Sequence, residues 1–204
     1  MVLKTFRLSP LLICLGLGLA SCDEQKNTNR QERFDKDNFF SGIEKTSTVA
    51  ELENEMAGGE TDFLKSFAAD SLPWQHWDPT ILEKAKQCQA PVFLLIGNAL
   101  GGESRAIGRE ISESSVLRSL LADQFVCAVA DVHANPELGT LSYHLSTEIK
   151  RSTTFPTLVW MSHEGSPIAW LPIAGVSGRD LEVVITNSTA MVSRTWNETS
   201  DYAV

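Results

Sequence analysis

The sequence predicts an α/β sandwich, with helices on both faces of a mixed sheet. Three observations predict it. Residues 91–97 (PVFLLIG) and 125–131 (FVCAVAD) are continuous apolar runs of strand length, as expected of strands covered on both faces. Amphipathic helical stripes precede, separate and follow those runs. A turn-rich stretch at 162–167 (SHEGSP) joins two further short apolar segments, and a hairpin there adds an antiparallel pair to the sheet. Apolar residues make up 43% of the 204-residue chain, ample for a core, which excludes wholesale disorder.

The N-terminus reads as a targeting segment. Lys4 and Arg7 precede an apolar stretch at 11–19. It is shorter than the roughly 20 residues of a membrane-spanning helix and fits a secretory signal. It ends Leu19-Ala20-Ser21-Cys22, which resembles a bacterial lipobox, where small residues precede a cysteine that is acylated and becomes the new N-terminus. An ordinary signal peptide carrying a chance cysteine is the alternative. On the lipoprotein reading residues 1–21 are the signal, Cys14 is discarded, and acylated Cys22 anchors the chain in the lipid bilayer. The domain then faces the periplasm or the outer side of the cytoplasmic membrane. Asp23 resembles an inner-membrane retention signal of enteric bacteria, a rule other bacteria do not keep, so inner or outer membrane stays open.

The formal charge of −9 argues against a nucleic-acid partner, which needs a basic face. Losing Lys4 and Arg7 leaves 15 basic residues against 26 acidic ones, or −11. Anionic headgroups repel such a surface, so the lipid supplies the membrane affinity.

Residues 22–61 read as the acylated N-terminus and a mostly disordered tether, since 23–40 are polar without apolar periodicity. A flexible chain from Cys22 to Thr61 reaches roughly 35 Å. Within it, Thr48 and Glu51 suggest a capping box. Val49, Leu52 and Met56 share a helical face, and Gly58-Gly59 ends that helix. The helix either belongs to the tether or packs on the domain.

The domain occupies 62–204. Asp78 and Pro79 suit a helix start, followed by a stripe of Ile81, Leu82, Ala85 and Cys88. After the strand at 91–97 come helices at about 104–111, weakened by Gly108, and 115–123. The strand at 125–131 follows, then a helix opened by Pro136 with Leu138, Leu141, Leu145 and Ile149 on one stripe. Strands at 157–161 and 168–171 flank the 162–167 turn. Leu181, Val184, Ile185, Met191 and Val192 mark a last helix at about 179–196.

This order resembles the thioredoxin fold. More narrowly it is similar to the thioredoxin-like domain of the spermatogenesis-associated-protein-twenty type. The resemblance covers about 63–172. It rests on Phe63-Leu64, Trp74-Gln75-His76-Trp77, residues 82–86 (LEKAK), the strand at 91–97, Arg109-Glu110, and Phe155-Pro156 before the strand at 157–161. It implies a three-layer sandwich and a cis bond at Phe155-Pro156. It also implies a Cys-X-X-Cys pair after the first central strand, and there the chain departs. Gly101, Gly102, Glu103 and Ser104 fill that loop, with Gly101 in place of the attacking cysteine and Ser104 in place of the resolving one. Disulfide exchange needs a thiolate and a second thiol. The loop is therefore a degenerate, redox-inactive active site.

Other candidates carry less. Cys88 and Cys127 read as buried core thiols. A bridge between them is open, and so is unconventional thiol chemistry. His76, His133, His144 and His163 have no metal-ligand spacing. Arg105, Arg109 and Glu110 read as a solvated helix face, and Trp74 and Trp77 as cover for the core edge. Ser104 has no nearby histidine base and no Gly-X-Ser-X-Gly elbow. Gly101-Gly102 at a helix start favours an anion, which Glu103 would repel. The resemblance also implies that the loop Thr154, Phe155, Pro156 pairs with an extended peptide by strand addition. The expectation is a membrane-anchored module that needs no cofactor or metal and binds an envelope protein or extended peptide. The alternatives are a thiol-disulfide enzyme using Cys88 or Cys127 and a structural subunit of an envelope complex. The oligomeric state stays open.

Overall fold

The computed structural model describes residues 48–198. The signal, Cys14, Cys22 and the tether up to residue 47 lie outside the described residues. Strand β2 (Val92–Gly97) is the middle of a five-stranded sheet. Its neighbours are β3 (Val126–Asp131), parallel, and β4 (Thr157–Met161), antiparallel. Strand β5 (Pro167–Pro172) pairs antiparallel with β4, and the short β1 (Gln75–His76) pairs parallel with β3. The order is β1-β3-β2-β4-β5. The mixed sheet and the hairpin are those read from the sequence.

The apolar runs are continuous because both faces are covered. Successive side chains of a strand point to opposite faces. Phe93 and Leu95 enter one core, while Val92, Leu94 and Ile96 enter the other. On the first face lie α3 (Gly102–Glu113), α4 (Ser115–Ala122) and α6 (Gly178–Glu198). The short α1 (Asp62–Lys65) packs there too. On the second face lie α2 (Ile81–Cys88) and α5 (Pro136–Glu148). Three layers result.

Two glycines make room for aromatic rings. A Cβ on Gly97 would overlap the ring of Phe63, and one on Gly108 would overlap the ring of Phe67. Gly108 therefore does not weaken α3 idly; it forms the slot into which α1 and its following turn press. From there an aromatic chain crosses the core through Phe63, Phe67, Trp74, Phe93 and Trp160, with ring centroids 5.3 to 6.2 Å apart. Trp74 is fully buried rather than at the core edge. Its indole N–H donates to Asp70 Oδ2 at 2.6 Å.

The start of the chain differs from the expectation. No single helix spans 49–57. Two 3-10 turns, Val49–Glu51 and Met56–Gly58, stand there instead. Val49 enters the second core and Met56 the first, so one helical face cannot serve both. Asn54 stitches the stretch between them: its Nδ2 donates to the carbonyls of Phe67, Asp70 and Leu72, and its Oδ1 accepts from Met56 N–H. Lys84 Nζ meets Glu55 Oε1 at 2.5 Å. Of the two placements left open for this stretch, the structure has it packed on the domain, through Val49 and Met56. Likewise α2 begins at Ile81, because Asp78 Oδ1 accepts from Thr80 N–H and Oγ1–H in a preceding turn.

Candidate functional site

The register brings three loops to one end of the sheet. Gly97, the last residue of β2, pairs with Asp131, the last of β3. Ile96 pairs with Thr157, the first of β4. The loops 98–101, 132–135 and 153–156 therefore leave the sheet side by side. Gly101, Gly102, Glu103 and Ser104 lie at the same end of the sheet as Thr154, Phe155 and Pro156, and the Phe155-Pro156 bond is cis.

Gly101 is the residue preceding α3 and has extended backbone (φ −93°, ψ 120°). Ser104 is 1% exposed, and its Oγ accepts from Asn98 N–H at 3.0 Å. A Cβ placed on Gly101 would lie 3.9 Å from Ser104 Oγ and no closer than 3.5 Å to the nearest atom. Position 101 is half-buried and position 104 buried, and a Cβ at 101 would meet its neighbours at ordinary contact distance. Neither residue carries a thiol, so the pair cannot form a thiolate or leave as one. The Ser104 hydroxyl oxygen is buried and holds the loop backbone through Asn98 N–H.

Asp131, which the sequence reading passed over, organises the neighbouring loops. It is 1% exposed, and its Oδ1 accepts from the N–H groups of His133 at 3.0 Å and Ala99 at 3.4 Å. Asn98 Oδ1 in turn accepts from Leu100 N–H at 2.9 Å and faces His133 Nε2 at 3.1 Å. The signal was available: a carboxylate ending an apolar run must meet donors where the strand opens into a turn. These bonds present Leu100 outward, 84% exposed.

On the opposite lip, Pro156 carbonyl accepts from Ile173 N–H at 3.2 Å. The N–H and carbonyl of Thr154 pair with no other backbone group among the described residues. Glu103 stands in the first turn of α3, as expected for a carboxylate at the positive end of the helix dipole, and also accepts a short hydrogen bond from Gly175 N–H through Oε1. Glu110 Oε2 accepts from Gly178 N–H at 2.6 Å.

The remaining thiols lie elsewhere. Cys127 pairs across to Phe93, four residues along β2 from Gly97, or about 13 Å from the loop end at strand spacing. Burial pushes its thiol well up, with the Asp70 charge adding to the effect, so it stays protonated and unreactive. Cys88 and Cys127 occupy opposite cores and are not bridged to each other. The open possibility of that bridge is removed by the sheet between them. His76 Nε2 contacts the Glu55 carbonyl at 3.0 Å, while His144 is exposed beside Tyr143. His163 is buried edge-on to Trp196, and desolvation lowers its pKa. No group of three or more His, Cys, Asp or Glu among the described residues can hold a metal.

The family described as "Protein of unknown function, DUF255", the DsbH-type thioredoxin family, matches residues 53–203. The chain belongs to this family. Among curated proteins, mouse spermatogenesis-associated protein 20 is 23% identical over 115 residues, which are 56% of this chain and 14% of that protein. The chain thus spans a small part of that relative's length. Of solved structures, a disulphide isomerase from Xylella fastidiosa Temecula1 is 17% identical, with TM-score 0.43, over 58% of this chain and 97% of that one. A DsbH oxidoreductase is 21% identical, with TM-score 0.42, over 59% and 85%. Family membership and the sheet order agree on a thioredoxin-like fold.

Proposed function

We propose that this DUF255-family protein is a redox-inactive thioredoxin-like module that binds extended polypeptide at the loop end of its sheet. The observation that carries the reading is the backbone of Thr154, which pairs with no other backbone group among the described residues, at the same end of the sheet as Gly101 and Ser104. A peptide strand gains main-chain hydrogen bonds from such a group, and Gly101 and Gly102 leave its path clear. The reading needs no cofactor. It includes acylation at Cys22, which would hold the module at a bacterial membrane surface; among the described residues no helix is long and apolar enough to cross a membrane.

Two measurements on the full-length protein in detergent test it. The first is turnover of a disulfide substrate, with none expected. The second is binding of reduced, carboxymethylated lactalbumin, an unfolded polypeptide without thiols, followed by amide resonances. Shifts confined to 98–104 and 153–156 support the reading. Disulfide turnover that disappears in Cys88→Ser or Cys127→Ser overturns it. Mass spectrometry of the N-terminal peptide from envelope-expressed protein tests the acylation. An unmodified Cys22 would remove the anchor from the proposal.

A further inference from the structure

The turn after β5 links the two lips of the loop end. Ile173, fully buried, donates its N–H to the Pro156 carbonyl. Val176 N–H returns to the Ile173 carbonyl at 3.1 Å. Gly175 and Gly178 have left-handed backbone, with φ +79° and +59°. Nothing lies within 4 Å of a Cβ at either position, so glycine is there for its backbone and not for packing. The positive φ values turn both amides toward α3, where Glu103 and Glu110 receive them. A continuous path thus runs from the start of α3 through Glu103, Gly175 and Ile173 to Pro156.

We infer that Glu103 is a positioning residue, a strut that sets the separation between the 98–104 lip and the 153–156 lip. This rests on the binding reading above and deepens it. In the expected dithiol loop, position 103 is one of two variable residues between cysteines. Here its side chain ties the helix start to the turn that carries the proline loop. Glu110, two turns further along α3, makes a parallel tie and fixes the turn's far end. The carboxylates are well suited to the task, because a charged acceptor holds a backbone N–H more strongly than a neutral one.

The test compares Glu103→Ala, Glu103→Gln and Glu113→Ala in the full-length protein in detergent. Glu113 is an exposed carboxylate on the same helix, so it controls for charge and helix effects. In Glu103→Ala the Gly175 amide should exchange with solvent about tenfold faster or more, the worth of one hydrogen bond to a charged acceptor. The Thr154 and Phe155 amide resonances should shift. Affinity for carboxymethylated lactalbumin should fall by a similar factor, while the melting temperature stays close to that of Glu113→Ala. Glu103→Gln, which keeps an acceptor oxygen, should restore part of each change. Changes confined to Gly175, with residues 154 and 155 as in Glu113→Ala, would overturn the strut. If the unaltered protein does not bind the probe, the binding reading falls instead, and the amide resonances still decide the strut.

Discussion

If Gly101 and Ser104 hold the positions of a lost dithiol, restoring both thiols should restore the bridge. The perturbation is the double substitution Gly101→Cys and Ser104→Cys. At 101 the backbone is extended and the nearest atom to a new Cβ is Asn98 O at 3.5 Å, ordinary contact. No rearrangement is required to admit the Cβ. At 104 the thiol replaces a hydroxyl that accepts from Asn98 N–H. Sulfur is a weaker acceptor, so the reduced double variant should lose roughly 1 kcal/mol, the net worth of one hydrogen bond. Closing a four-residue loop recovers about 2 kcal/mol on the chain-entropy relation. The oxidised form should therefore be slightly more stable than the parent, by roughly 1 kcal/mol. The outer thiol at the start of α3 should also titrate below the usual 8.5 or so, as thiols at helix N-termini do. Urea unfolding of both forms and thiol titration after mild oxidation measure this. Two reactive thiols persisting in an oxidised monomer would refute the spacing argument and, with it, the correspondence of these residues to a dithiol site.

Gly108→Ala should destabilise the protein by about 0–2 kcal/mol in urea. Overpacking against Phe67 at roughly 1–3 kcal/mol outweighs the roughly 1 kcal/mol that alanine gains in a helix interior. A stabilised variant would show that the Phe67 slot does not matter. In a double-mutant cycle with Phe67→Ala the cost of the alanine at 108 should vanish. Cys127 should resist a thiol reagent until the chain unfolds. Its raised pKa means the folded state keeps a proton that the unfolded state releases. Stability should accordingly fall as pH rises past about 8.5, by up to roughly 1.4 kcal/mol per unit, and Cys127→Ala should flatten that slope. Denaturation midpoints from pH 8 to 10 would check it. His163 has the opposite linkage. Burial lowers its pKa in the fold, so the unfolded chain takes up the proton first and stability drops as pH falls below about 6.5. His163→Phe should reduce that acid loss, and an unchanged slope between pH 6.5 and 5 would count against the burial argument.

Much of the fold was legible because burial on both faces writes itself into local composition. The runs at 91–97 and 125–131 could be read as central strands without knowing their partners. The helices between them announced their buried stripes in the same way. The Gly101–Ser104 loop drew notice only once the residues around it resembled a known domain.

What tertiary structure alone decided has long sequence separation. The two-residue β1 is too short to show periodicity. Val49 and Met56 looked like one helical face but serve two cores, because a sheet stands between them. Cys127 lies in β3 and Cys88 ends the helix before β2, and strand alternation and helix placement send them to opposite sides of that sheet. Gly108 read as a helix defect until Phe67 arrived to fill it, and the partner that Glu103 finds in Gly175, 72 residues on, left no local signal. Local patterning sets which residues must be buried. Which partner each one meets depends on closure of loops many residues long, and that closure is fixed only when the whole sheet is assembled.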